Sequence, residues 1–149
     1  MSHVSDLKLH VRDLQALKAA AKTLGMELTE KKTFKWYGTS VGDYPLPAGF
    51  TKADMGKCEY ALTITGNSRA YEVGVCKARG GKPGYVLLQD FWAGGYGLDA
   101  AIGKEGVKLK HSYAVEIAKK DMQKFQRECF RMTQTRKADG TLVVKATMG

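Results

Sequence analysis

Cysteine and acidic residues are both scarce in this chain, and each shortage says something. There are three cysteines in 149 residues. At positions 58, 76 and 129 they are odd in number and far apart, so they spell neither a disulfide framework nor a zinc knuckle. Cys76 and Cys129 fall in strand-like segments, where a thiol serves as a small apolar residue. Unpaired thiols in a reducing compartment are expected. No apolar run approaches the ~20 residues that cross a bilayer. The opening residues, Met1 to Asp6, lack the basic and apolar regions of a signal peptide. A cytoplasmic protein without membrane partners is the expectation.

Acidic residues are outnumbered. Fifteen Asp and Glu against 24 Lys and Arg leave a net charge of +9, which favours polyanions: nucleic acid, an acidic protein or an anionic surface. The competing reading is an excess spread over solvated faces. Missing too are the constellations of catalysis. His3, His10 and His111 have no ligand spacing, and no serine or cysteine is accompanied by a base. No catalytic residue, metal or cofactor is expected.

The regular elements are set out around Tyr71 to Trp92. Tyr71, Val73 and Val75 alternate with Glu72, Gly74 and Cys76, the period-two pattern of a half-buried strand. Arg79 to Gly84 holds three glycines and a proline, which is turn chemistry. Tyr85 to Leu88 is apolar on both faces, as in a strand covered on both sides. Tyr60 to Thr65 supplies a third strand, and a three-stranded meander is predicted.

Upstream, Leu7, Leu9 and Val11 alternate with Lys8, His10 and Arg12, giving an opening strand. Asp13 offers an N-cap to a helix with Leu14, Leu17, Ala21 and Leu24 inward, closed at Gly25. Met26, Leu28, Phe34 and Trp36 are predicted to share one face of a long second strand, opposite Glu27, Thr29, Lys31 and Lys35. An irregular loop over 38–56 follows, with Tyr44, Leu46 and Phe50 available to pin it. It is read as either functional or an insertion covering a sheet edge. Downstream, Leu98 to Ile102 is a short helical piece and Val107 to Lys110 a connector. Ser112 then caps a helix to about Arg127 whose inward face is Ala114, Ile117, Ala118, Met122 and Phe125. Asp139-Gly140 turns a closing hairpin between Cys129–Thr133 and Leu142–Val144. The pattern predicts one domain over 1–149, an α+β fold with a mainly antiparallel sheet and two helices on one face. An elaborated ferredoxin-like sandwich is the nearest named form.

Gly95-Tyr96-Gly97-Leu98-Asp99-Ala100 matches G-x-G-x-x-A after a strand, the form of a dinucleotide site. The break at Gly103 and the lysine-rich region beyond argue against that reading, and anion contact by the amides at Gly95 and Gly97 is the simpler one. Asp90 stands close to Trp92 at a strand end, where a carboxylate either caps the following loop or serves function. His3 joins them as a possible functional residue. Lys120, Lys124 and Arg127 share a helix face, and with Lys31, Lys32 and Lys35 they are the candidate anion- or partner-binding cations. Phe34-Lys35-Trp36-Tyr37 interleaves aromatics with bases, as base-stacking surfaces do.

Several segments resemble an uncharacterised domain-of-unknown-function family related to a hypothetical chloroplast reading frame, found in cyanobacteria, algal plastids and some phages. They are Met1 to Ser5, Asp13 to Leu17 with Leu24-Gly25, Tyr71 to Val75, and Tyr85 to Trp92. Tyr113-Ala114 and the Asp139-Gly140 hairpin with Leu142 to Val144 follow in order. The 38–56 loop and the Gly94–Gly97 run depart from the family pattern. The resemblance implies no catalytic residues, adds the plastid stroma as a location, and implies an adaptor role beside an AAA-type ATPase. The combined expectation is a small basic binding module docking to an acidic protein partner. The alternatives are nucleic-acid or ribosome binding and, third, a small enzyme using the 94–97 loop.

Overall fold

The computed structural model describes residues 3–38, 45–128, 131–136 and 142–147, with side chains up to residue 126. Its main sheet is built from β1 (Val4–Val11), β2 (Met26–Glu30), β3 (Tyr60–Ile64), β4 (Val73–Lys77) and β5 (Tyr85–Asp90), in the order β1-β5-β4-β3-β2. All four pairings are antiparallel. Three helices accompany it: α1 (Leu14–Thr23), α2 (Leu98–Ile102) and α3 (Val107–Glu128). Strands β6 (Arg131–Arg136) and β7 (Leu142–Thr147) pair as a separate two-stranded sheet. This is an α+β fold. The turn of that hairpin and Cys129 lie outside the described residues.

The meander forms where alternation and turns coincide. Leu62, Val73, Val75 and Leu87 are all fully buried on one face, against Leu17 and Ala20 of α1, Leu98 and Ile102 of α2, and Leu109 and Tyr113 of α3. Helix α1 follows its caps. The Asp13 side chain accepts from Ala16 N at 3.0 Å, and Gly25 takes φ 74° just past the C-cap, the left-handed position that favours glycine.

The sheet's other face is covered by irregular chain. Phe34, Phe50, Met55, Ala61, Cys76 and Leu88 form a second buried cluster with Val4. Phe50 is held further by the Arg79 guanidinium, 4.1 Å from its ring centroid. The described part of the 38–56 loop therefore lies over a sheet face, and β4 and β5 are buried on both sides. Position 44 lies outside the described residues.

Three expectations need correction. Strand β2 ends at Glu30, where its partner β3 begins at Tyr60. Beyond it the chain bends, with Cys58 N donating to Lys32 O at 2.9 Å and Thr33 bridging Lys57. Phe34 is thereby placed on the face opposite Met26. There it lies on Gly74, where an added Cβ would stand 2.3 Å from the ring. In β4, Gly74 is buried along with Val73 and Val75, because Phe34 covers the side predicted to face solvent; Cys76 on that side is buried as a small apolar residue, as expected. In β1 the expected alternation holds, with Leu7, Leu9 and Val11 packed into the main core and Lys8, His10 and Arg12 exposed, although the register shifts at a bulge between Asp6 and His10, with Lys8 at φ 59°.

The third correction concerns α3. It starts at Val107, and Ser112 lies within it, its hydroxyl donating to Ala20 O at 3.2 Å. Leu109 and Tyr113 are buried and Ile117 packs against them, whereas Ala114 and Ala118 are exposed. Met122 and Phe125 are 39% and 47% exposed. A full turn more of helix at the start shifts the contact stripe to 109, 113 and 117, an i, i+4, i+8 row. That row runs out where α1 begins, since Lys120 already sits on its N-cap.

That contact gives a test. Lys120 Nζ donates to Asp13 Oδ1 and Oδ2 at 2.9 and 2.7 Å. This bond first, and the Ala16 N–H second, hold the Asp13 carboxyl below its ordinary 3.8. A carboxyl depressed by folding stabilises above its unfolded value and loses that contribution as pH falls through the folded one. Asp13→Asn keeps a good cap but lacks the ion pair. It is expected to cost within about 1 kcal/mol at neutral pH and to flatten the fall in stability below about pH 4. Urea unfolding measured from neutral to acid pH checks both.

Candidate functional site

Asp90 ends β5 with no exposed surface. Its Oδ1 accepts from His3 N at 3.1 Å and Trp92 N at 3.0 Å, and its Oδ2 from Tyr37 N at 3.0 Å. Three separate segments thus converge on one carboxylate: the start of β1, the stretch after β2, and the turn after β5. A buried charge survives where donors surround it, and backbone N–H groups supply them here. His3, Asp90 and Trp92, singled out from the sequence, are brought together. The His3 ring lies 5.3 Å from that of Phe91 and 5.7 Å from that of Trp92, the latter edge-on.

Around this hub stands a shell of aromatics that the sequence showed only as scattered letters. Tyr37, Trp92 and Tyr96 are 46%, 40% and 50% exposed. Tyr71 is buried beneath them, its ring 5.1 Å from that of Tyr96 and nearly perpendicular. Burial first, then the charge of Asp90, push the Tyr71 hydroxyl up to about 12. The turn that presents Trp92 and Tyr96 is left-handed, with Ala93, Gly94, Gly95 and Tyr96 all at φ between 51° and 65°. Two glycines carry this cheaply; Ala93 and Tyr96 hold it at a steric cost.

Gly95 and Gly97 therefore serve this turn. Gly95 O accepts from Tyr71 N at 2.9 Å, and a Cβ on Gly95 would stand 2.7 Å from that of Leu98. Helix α2 after them has five residues and is followed by α3, so the parallel strand of a dinucleotide fold is not what comes next. The cations are distributed unevenly. Lys31 Nζ pairs with Glu72 at 2.9 Å, and Lys35 Nζ donates to Ser68 O. Lys35 N also donates to Glu72 Oε1 at 2.7 Å, so Glu72 organises this segment. Lys32 is exposed.

On α3, Lys119 faces Glu116 at 3.3 Å and Lys120 faces Asp13. Lys124 is exposed with no ion-pair partner among the described residues. The Arg127 side chain lies outside them. Neither thiol described is poised for chemistry. Burial pushes Cys58 up to about 11 and Cys76 up to about 12, and their Sγ atoms donate to Lys31 O and Lys57 O at 3.2 and 3.3 Å. Among the described residues no His, Cys, Asp and Glu side chains gather as a metal cluster, and no helix is long and apolar enough to cross a membrane.

Sequence reasoning missed Tyr96 and Glu72 as parts of this site, and reached Tyr37 only as a base-stacking candidate. Tyr37 lies at the end of an aromatic-basic run, and that run was the signal available. No family model, curated protein or solved structure matches this chain.

Proposed function

We propose that this chain is a non-catalytic binding module that docks on an acidic protein partner through the distal half of α3. The observation carrying this reading is the stretch from Ala118 to Gln126, in which every residue is exposed. Some 13 Å of helix thus has no buried side chain, tied to α1 by the Lys120–Asp13 pair, although a helix without packing gains little from propensity alone. Met122 and Phe125 share one side of it at i, i+3, among Lys119, Lys120 and Lys124. Apolar anchors flanked by lysines are the form in which helices enter grooves of acidic proteins. The net charge of +9 favours the encounter. The family resemblance makes an AAA-type ATPase the partner to test first.

The test combines Met122→Ser, Phe125→Ser and Lys124→Glu in one variant. These side chains are exposed, so stability is expected to stay within ~0.5 kcal/mol per site. Capture of a protein partner at moderate salt is expected from the parent chain, insensitive to nuclease and lost in the variant. Capture equal in both, with a normal melt, would remove α3 from the reading. A second reading, single-stranded nucleic acid, is favoured by one observation: the exposed rings of Tyr37, Trp92 and Tyr96 around Asp90, which could stack bases. Capture abolished by nuclease and by Trp92→Ala would favour it.

A further inference from the structure

Helix α3 carries two apolar rows. One, Leu109, Tyr113 and Ile117, packs into the core. The other, Val107, His111, Ala114, Ala118, Met122 and Phe125, is exposed throughout. At about 100° per residue these six fall within about 80° of one another, on the side away from the core row. Their spacing alternates threes and fours, as in a helix–helix seam. Val107 is 59% exposed and Val115, beside the row, 39%. A shallow groove of about 560 Å³, walled by Leu24, Val107 and Val115, continues the apolar surface towards α1. The row is about 27 Å long, and a continuous exposed apolar surface of that kind marks a contact.

The row is complementary to itself. Ala114 and Ala118 stand at its middle, Val107 and Phe125 at its ends. Laid antiparallel about a twofold axis near residue 116, Ala114 meets Ala118 of the second copy, and Val107 meets its Phe125. Small central side chains let the two helix axes approach to ~8 Å. The charges agree. Lys110 and Asp121 lie on one flank of the row, three turns apart, and neither has an ion-pair partner among the described residues. The antiparallel register sets each Lys110 against Asp121 of the other copy, twice over by symmetry. On the other flank Ser112 faces Lys119 and Lys108 faces Gln123, so like charges do not meet. A parallel pair would instead set Lys108 of one copy beside Lys110 of the other, and flanking charges of this kind decide orientation.

We propose that two copies of this chain associate through the outward faces of α3, antiparallel about a twofold axis. The inference does not rest on docking to an acidic partner, although the two contacts would compete for Met122 and Phe125. A seam one helix wide lies near the lower end of specific interfaces, so the dimer is weak, with Kd on the order of 10–100 μM.

Sedimentation equilibrium of the full chain from about 5 μM to about 1 mM tests this, at moderate salt to screen repulsion between two chains of net charge +9. A monomer–dimer equilibrium is expected. Ala118→Glu puts a carboxylate in the middle of the seam and should weaken it at least about tenfold, while the dilute chain melts as the parent does. Lys110→Glu and Asp121→Lys should each weaken it by about three- to tenfold, and the double variant should return to within about twofold of the parent. About 16 Å separates the two residues along one helix, so restoration can come only from a contact between chains. Asp121→Lys removes no cation, so capture of an acidic partner should survive in it, and the two readings fail separately. Monomer mass over the whole concentration range would overturn the proposal. So would a dimer that Ala118→Glu leaves intact, or a double variant that associates no more tightly than the single ones.

Discussion

Leu87→Ala is expected to lower the unfolding free energy by about 2–5 kcal/mol, from lost transfer energy plus the cavity left behind. Leu87 has no exposed surface and sits on β5, which pairs with β1 on one side and β4 on the other. Its side chain lies in the cluster joining the sheet to all three helices. Chain on either side of the sheet limits how far neighbours can close the gap. Partial collapse would put the loss at the lower end of the range. Urea denaturation would show a lower midpoint with an unchanged slope. A midpoint equal to that of the parent chain would mean that β5 is not an interior strand of the sheet.

Asp90→Asn is expected to be of comparable size, at roughly 3–5 kcal/mol, since hydrogen bonds to a charged group are each worth ~1.5–3 kcal/mol and do not add fully. Asparagine keeps the shape but replaces one acceptor oxygen by an NH2. Either His3 N and Trp92 N, or Tyr37 N, would then face a donor. The amide hydrogens of residues 3, 37 and 92 should lose exchange protection together while the β3–β4 ladder keeps its own. Loss of protection at only one of the three would show that the segments are held independently. Because Trp92 and Tyr37 carry the exposed rings, the same variant should loosen the aromatic surface.

What the sequence revealed and what it hid divide by range of interaction. The Asp13 cap, the Gly25 terminator and the meander rest on residues within a few positions of one another, and spacing exposes such relations. Phe34 was misplaced because period two was extended through a bend whose cause, the Cys58 bond to Lys32, lies 26 positions on. The inward face of α3 was misjudged for a related reason. Its amphipathic pattern is broad, and only the position of α1 decides which row is covered. Asp90 stood out by its apolar neighbours, but its partners at 3 and 37 lie 87 and 53 positions away.

Strand β1 pairs with β5 across Val4 and Asp90, while β2, the opposite edge, is also made by the chain's first thirty residues. During synthesis, the two outer strands and α1 are therefore complete before any of β3, β4 or β5 exists. At roughly 5–20 residues per second, β1 waits seconds for its partner. Its hydrogen-bonding edge is open meanwhile to other nascent chains. The bulge at Asp6–His10, with Lys8 in a left-handed conformation and lysine, histidine and arginine along its outer positions, is the kind of interruption that discourages such pairing. Once β5 emerges, the meander closes quickly through short turns, and the waiting strand is recruited last.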